Sequence, residues 1–323
     1  MSTSLLEVDG LTVGFATEAG MLVAVDRVSF SLAAGETLGL VGESGCGKSA
    51  TCLAALGLLP PNGRILGGRV LLEGRDLVTE QEGELDKIRG GVAAMIFQDP
   101  LTSLNPVHAL GWQIGEALRL HRGLDGAAAT AEAVRLLDRV GITDPRRRLG
   151  EYPHQLSGGM NQRAMIAMAL ACKPRLLVAD EPTTALDVII QAQIIDLLVE
   201  IQREEGLALL LVTHDLGVIA EMADRVAVMY AGRMIETAPV ADLFSRHRHP
   251  YTAGLLASLP RVDRRVERLA PIDGTVPWLG DLPSGCTFRP RCPRVLPLCA
   301  EMQPALAPPG EAHRAACHNP VPA

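Results

Sequence analysis

Leu156-Ser157-Gly158-Gly159-Met160-Asn161-Gln162-Arg163, continuing as AMIAMALACKPRLLVADEPTTALD to Asp187, is the stretch that decides how this chain is read. Ser157, Gly158 and Gly159 precede an apolar run at helical spacing. They therefore fall at a helix N-terminus, where free backbone N–H groups and the helix dipole attract anions. Having no side chains, the two glycines let a phosphate approach the backbone closely. Leu176–Ala179 is a short apolar strand that ends in Asp180-Glu181. An acidic pair at the end of a buried strand suits a metal-bound phosphate, with one carboxylate near Mg²⁺ and the next near an attacking water. Thr184-Ala185-Leu186-Asp187 follows at once.

Upstream, ETLGLVGESGCGKSATCLAALGLL (36–59) supplies a second phosphate element. Thr37–Val41 reads as a buried strand and residues 49–58 as an apolar helix. Between them Gly42 to Ser49 match the phosphate-loop pattern, with four residues separating Gly42 from Gly47. Gly42, Glu43, Ser44, Gly45, Cys46, Gly47, Lys48, Ser49 and Ala50 are the candidate nucleotide contacts. Backbone N–H groups from Gly45 to Ser49 are expected to ring a β-phosphate. Lys48 is expected on the β- and γ-phosphates, and the Ser49 hydroxyl on Mg²⁺. The Cys46 thiol reads as a small filler of the loop.

Together the two segments resemble the phosphate loop, signature, Walker B and D-loop of an ATP-binding cassette (ABC) ATPase, in the right order. That resemblance implies a fold: an α/β P-loop NTPase core with an antiparallel β subdomain and a helical subdomain. It also implies roles. Asp180 holds Mg²⁺ through water. Glu181 is the general base or water-positioner. Gln98, after the apolar VAAMIF, contacts Mg²⁺ and water through a neutral amide. His214, following the strand Ala208–Val212, is the switch histidine on the γ-phosphate. Phe15, upstream of the phosphate loop, stacks on adenine; the other reading is an ordinary strand aromatic. Ser157, Gly158, Gly159 and Asp187 would serve the nucleotide and loop of an opposite subunit in a head-to-tail dimer with two ATPs.

Asp99-Pro100-Leu101-Thr102-Ser103-Leu104-Asn105-Pro106 narrows the resemblance to the oligopeptide/dipeptide importer ATPases. Met160 stands where many ABC ATPases carry glutamine, and the resulting LSGGM is similar to one of the two paralogous ATPases of those importers. The partners implied are a paralogous ATPase subunit, two integral-membrane permeases and an extracytoplasmic substrate-binding protein. The chain itself would sit at the cytoplasmic face of the inner membrane. The subfamily handles peptides, glutathione and nickel chelates among other solutes, and nothing in this sequence chooses between them.

Around these motifs, residues 5–15 and 24–32 alternate as half-exposed antiparallel strands. Residues 68–97 read as short strands and turns, 108–153 as helices, and Val188–Glu204 as a helix. Arg146-Arg147-Arg148 reads as a solvated loop or a contact patch. Residues 225–237 form a closing hairpin with Ala231-Gly232 at its turn. The cassette is expected to span 1–246, with its helical subdomain at about 106–156.

The remainder, 247–323, is a small irregular extension. His249-Pro250-Tyr251-Thr252 resembles the tail specific to the same importers, and beyond Arg261 the chain turns proline-rich. Cys286, Cys292, Cys299 and Cys317 lie within this segment, which has little apolar material. That is what a metal-stapled module needs. Their spacing lacks the short pairs of common zinc modules and matches neither common ferredoxin pattern. In the resembled subfamily some members hold a [4Fe–4S] cluster there. Zinc, with His313 or His318 replacing a ligand, and free thiols are the other readings.

The chain has 323 residues, is 48% hydrophobic and 21% charged, and carries a net charge of −7, which gives no basic bias toward nucleic acid. No secretory leader is visible in MSTSLLEVDG, and no apolar run is long enough to cross a bilayer. A soluble ABC ATPase acting on ribosomes or DNA is the rival of another class. Against it stand a single uninterrupted cassette and the acidic balance.

Overall fold

A computed structural model describes residues 4–184, 186–258, 272–308 and 310–322. Ala185 of the TTALD stretch, and the start of the proline-rich tail at Arg261, lie outside the described residues. The chain divides into two compact units interleaved in sequence. One comprises Met1–Leu5, Ala33–Glu36 and Thr79–Val212; the other comprises Leu6–Leu32, Thr37–Val78 and Thr213–Ala323.

The second unit begins with an antiparallel sheet in the order β2-β1-β4-β5. Its strands are β1 (Ser4–Thr17), β2 (Gly20–Ala33), β4 (Gly63–Leu72) and β5 (Arg75–Asp76). Leu6, Val8, Leu11 and Val13 of β1 are buried, as the alternation predicts, and a register shift between Asp9 and Thr12 breaks the period. Both strands of the hairpin run longer than the sequence reading placed them. β3 (Thr37–Val41) is buried along its whole length, the mark of a strand covered on both faces. The loop Gly42–Gly47 then leads into α1 (Lys48–Ala55).

The first unit opens with α2 (Glu82–Ile88), which corrects the expectation of only strands and turns over 68–97. Glu82 and Glu84 lie in its first turn and Lys87 in its last, a charge order that suits the helix dipole. Only Leu85 and Ile88 are buried, too short an apolar stripe to show as a periodicity. β6 (Ala93–Ile96) and α3 (Pro100–Ser103) follow. The helical region consists of α4 (Leu110–Arg122), α5 (Gly126–Arg139) and the single turn α6 (Pro145–Arg148). α5 buries Ala129, Ala133, Leu136 and Leu137, a stripe at i, i+4, i+7 and i+8. α6 carries the three-arginine run, and Arg148 donates to Glu151 at 2.7 Å. The run is thus a helical turn tied to Glu151 rather than a loop. α7 (Gly158–Leu170), β7 (Leu176–Asp180), α8 (Val188–Glu205) and β8 (Ala208–Val212) complete the unit. β6, β7 and β8 run parallel, with Ala94 opposite Leu177 and Asp180 opposite Val212. Parallel pairing brings their C-terminal ends, where the chemistry-bearing residues lie, to one edge.

The rest of the second unit consists of α9 (Leu216–Met222), β9 (Arg225–Tyr230), β10 (Arg233–Pro239), α10 (Val240–Arg246), α11 (Pro250–Ala257), α12 (Leu298–Glu301) and β11 (Arg314–Ala315). β3 and β9 are parallel. β9 turns into β10 through Ala231 (φ 45°) and Gly232 (φ 79°), the two left-handed residues of a tight hairpin. β11 adds to β10, with Glu236 opposite Ala315. Glu236 is fully buried. Its carboxylate accepts from the backbone N–H of Arg248 (2.5 Å) and His249 (2.9 Å) and meets His313 Nε2 at 2.8 Å. These bonds join the extension to the hairpin. Among the described residues no helix is long and apolar enough to cross a membrane.

Candidate functional site

The phosphate loop is set by the chain's local geometry. Gly47 caps α1 at φ 102°, and a Cβ there would lie 2.6 Å from the Ala24 carbonyl oxygen, so only glycine fits. The Lys48 ammonium is buried and donates to the carbonyls of Gly42 (2.8 Å) and Glu43 (3.1 Å). A cation held within the loop, beside the N-terminus of α1, makes an anion cradle. Ser49 follows in the first turn, half-buried. Ser44 and Gly45 are exposed. Cys46 is fully buried, and burial pushes its thiol pKa up, so it fills space as a neutral thiol.

Glu43 differs from its neighbours. Its carboxylate meets Arg291 of the extension at 2.9 and 3.2 Å, and its N–H donates to the Tyr251 hydroxyl at 2.9 Å. The Glu43 side chain is therefore committed to the tail, and what it offers a phosphate is backbone. Phe15 pairs with Gly63 across the sheet and is half-buried, which leaves part of its ring open. His214 is exposed, one residue before the Asp215 cap of α9.

The acidic residues lie in the other unit. Asp180 ends β7 and is buried. Glu181 has φ 47°, a left-handed conformation that costs a side-chain-bearing residue about 1 kcal/mol or more and gathers at functional sites. Its N–H donates to the Val212 carbonyl at 2.8 Å. Its Oε2 accepts from Gln98 Nε2 (3.2 Å) and from Thr184 Oγ1 (2.8 Å). With its nitrogen on Glu181, the Gln98 amide keeps its oxygen as an acceptor. Thr184 went unassigned in the sequence reading; its place in TTALD, three residues after Glu181, was the available signal.

In the same unit the signature forms the first turn of α7. Ser157 caps α7, accepting from Met160 N–H at 3.3 Å. Asp187 caps α8, accepting from Ile189 (3.1 Å) and Ile190 (2.9 Å). A cavity of about 380 Å³ joins Ser157, Gly158, Gly159, Met160, Asp187 and Ile190. Met160 contributes a backbone N–H to this turn, so its replacement of glutamine leaves the cap intact.

Each unit by itself offers hard oxygen donors of the kind Mg²⁺ takes: the Ser49 hydroxyl in one, the Asp180 carboxylate and the Gln98 amide oxygen in the other. None of the four tail cysteines forms a disulfide, and each sulfur accepts a backbone amide. Cys292 accepts from Arg294, Cys299 from Leu296 and Cys317 from Asn319, all at 3.4 Å, while Cys286 takes amides from Phe288 and Arg289. Burial pushes the Cys317 thiol pKa up to about 11, with Cys292, Cys286 and Cys299 adding to the rise. A backbone bond of 2.8 Å joins Cys286 to Cys299, and a Cβ on Gly285 (φ 65°) would strike the Cys299 carbonyl at 2.4 Å. Among the described residues no three His, Cys, Asp or Glu side chains gather closely enough for a single metal ion. His313 Nε2 meets Glu236 at 2.8 Å and His318 Nε2 meets the Met302 carbonyl at 3.0 Å.

Comparison with known proteins gives a consistent result. The family described as ABC transporter matches residues 25–184, and that described as Oligopeptide/dipeptide transporter, C-terminal region, matches 235–299. The chain is 49% identical over 318 residues to a dipeptide transport ATP-binding protein of Escherichia coli strain K12, covering 98% of this chain and 97% of that one. It is 51% identical over 318 residues to the oligopeptide transport ATP-binding protein of Salmonella typhimurium, covering 98% and 94%. Among solved structures, a dimeric ATP-binding cassette in a post-hydrolysis state bound to ADP and phosphate aligns at TM-score 0.66 and 26% identity, covering 73% of this chain and 98% of that one.

Proposed function

The chain belongs to the ABC transporter ATP-binding subunits, in the group with the oligopeptide/dipeptide C-terminal region, and from that premise we propose that it drives import of di- or oligopeptides by hydrolysing ATP. The observation that carries the reading is Glu181, which follows β7 in a left-handed conformation with its carboxylate held by Gln98 and Thr184. A carboxylate fixed so closely, one residue after Asp180, supports a role in orienting and deprotonating a water.

In this reading the loop from Gly42 to Ala50 binds the phosphates through its N–H groups, and Lys48 neutralises their charge. Ser49, Gln98 and Asp180 would hold Mg²⁺, which neutralises charge on the phosphate oxygens when bound. Phe15 supports adenine, and His214 donates to the γ-phosphate. Ser157, Gly158, Gly159 and Asp187 serve the nucleotide of an opposing ATPase subunit, so each catalytic cycle couples ATP-driven closure of a dimer to the permeases. We take the partner to be a paralogous chain, because the LSGGM signature is similar to that of one member of such pairs. Two permeases and a substrate-binding protein complete the transporter. The chain would lie peripherally at the cytoplasmic face of the membrane, with its cassette ending near residue 246. The same machinery importing a nickel chelate or glutathione is the alternative solute class.

Cys286, Cys292, Cys299 and Cys317 would hold a [4Fe–4S] cluster that staples the extension. Supporting it are the amide donors at all four sulfurs.

Tagged chain purified anaerobically from gently solubilised membranes tests both halves of the reading. Two permeases, a second ATPase, and about four irons with four sulfides per chain are expected. Ribosomal proteins or nucleic acid in place of permeases would overturn the transport reading. One zinc per chain, or no metal, would overturn the cluster.

A further inference from the structure

We propose that Arg291 is a positioning residue for the phosphate loop: its guanidinium neutralises and tethers the Glu43 carboxylate, and the loop binds a nucleoside triphosphate tightly only while that tether is made. The inference rests on reading Gly42–Ser49 as the ATP phosphate loop.

Glu43 is held on three sides. Its N–H donates to Tyr251 Oη at 2.9 Å, its carbonyl accepts from Lys48 Nζ at 3.1 Å, and its carboxylate accepts from both terminal nitrogens of Arg291. The Arg291 side chain is 5% exposed and that of Glu43 27%. Arg291 is itself fixed, donating to the Asp273 carbonyl at 2.9 Å and lying 5.8 Å from the Tyr230 ring centroid. Tyr230, Tyr251 and Phe288 close the same region, with ring centroids 4.8 to 5.5 Å apart. A fork-on-fork pair with one nearly buried partner has a fixed geometry and is weakly screened.

The chemistry makes the pair more than packing. A carboxylate inside an anion-binding loop repels the ligand that the loop exists to hold. Arg291 offsets that charge and turns it away from the loop's N–H groups. The tether spans the chain, since the two residues are 248 positions apart, and Arg291 lies between Cys286 and Cys292. The short turn that carries two of the cysteines therefore sets the position of the phosphate loop.

The test is the Kd of the full-length chain for Mg-ATP, measured by fluorescence titration below the melting midpoint of each variant. Arg291→Ala should weaken ATP binding about tenfold or more. Adding Glu43→Gln to Arg291→Ala should recover most of that loss, because the uncompensated charge is gone. Arg291→Lys, which keeps the charge without the fork, should fall between wild type and Arg291→Ala. Arg291→Ala at wild-type affinity, or a double variant as weak as Arg291→Ala alone, overturns the proposal and leaves Arg291 a packing residue. Lys48→Ala is the control for the loop itself: if it binds as tightly as wild type, the phosphate-loop reading fails and this inference with it.

Discussion

The Gln98 side-chain amide donates to the Glu181 carboxylate at 3.2 Å, joining the loop after β6 to the end of β7. The two residues thus form one hydrogen-bonded unit, in which the neutral amide orients the carboxylate. Replacing the amide by an acid puts two carboxylates in contact, and like charges raise the pKa of the pair. Gln98→Glu is therefore expected to lower kcat about tenfold or more at neutral pH and to move the acid limb of the pH–rate profile toward higher pH. An unshifted profile in steady-state assays of the assembled transporter would show that the two side chains do not act together.

Thr184 Oγ1 donates to the same Glu181 oxygen at 2.8 Å. Thr184→Val keeps the shape and removes the donor. A hydrogen bond to a charged acceptor is worth about 1.5–3 kcal/mol, so a fall in kcat of roughly tenfold is expected, with ATP affinity retained. Parallel titration and turnover assays separate the two. A loss seen only in Kd would place Thr184 outside the catalytic unit.

Glu236 accepts two backbone amides and the His313 imidazole while fully buried. Glu236→Ala leaves all three without a partner and is expected to destabilise the extension by about 3 kcal/mol or more. Limited proteolysis should then cut C-terminal to β10 much faster than in wild type. Equal cleavage rates would mean that the extension is held by its apolar contacts alone.

His249 carries a pH signature. Burial holds its pKa down to about 4, and Glu236 only partly counters this. Its Nδ1 accepts the Tyr251 N–H at 3.0 Å, a bond that only the neutral ring can make. Because the folded pKa lies below the unfolded one, stability is fully present above about pH 6.5 and is lost as pH falls toward 4, by about 3 kcal/mol in all. Urea melts across that range should show the loss in wild type and a flatter curve in His249→Asn, which keeps a cap without a titrating ring. Parallel curves would remove His249 as the cause.

The nucleotide motifs were legible in the sequence because each is local. The glycines, Lys48 and Ser49 lie within eight residues, as do Asp180, Glu181 and Asp187, and strand or helix context fixes their direction. The hairpin at Ala231-Gly232 was legible for the same reason. What the sequence did not carry are contacts between distant positions. No spacing joins Glu43 to Arg291, or Glu236 to His313. Nothing about Arg291 within RPRCP marks it as different from the other arginines of the tail. α2 was missed because two buried residues make no periodicity. Cluster, zinc and free thiols all stayed open in the sequence because the cysteine spacing is shared by no common pattern. The N–H donors around the sulfurs belong to backbone, which sequence does not display.

The most direct measurement is transported-solute-stimulated ATP hydrolysis by the assembled transporter in proteoliposomes, comparing wild type with Glu181→Gln and measuring ATP binding in parallel. If Glu181 is the base, the variant should bind ATP within about threefold of wild type and hydrolyse it 10²–10⁴ times more slowly, about the worth of a positioned general base. Near-normal hydrolysis by Glu181→Gln would contradict the account.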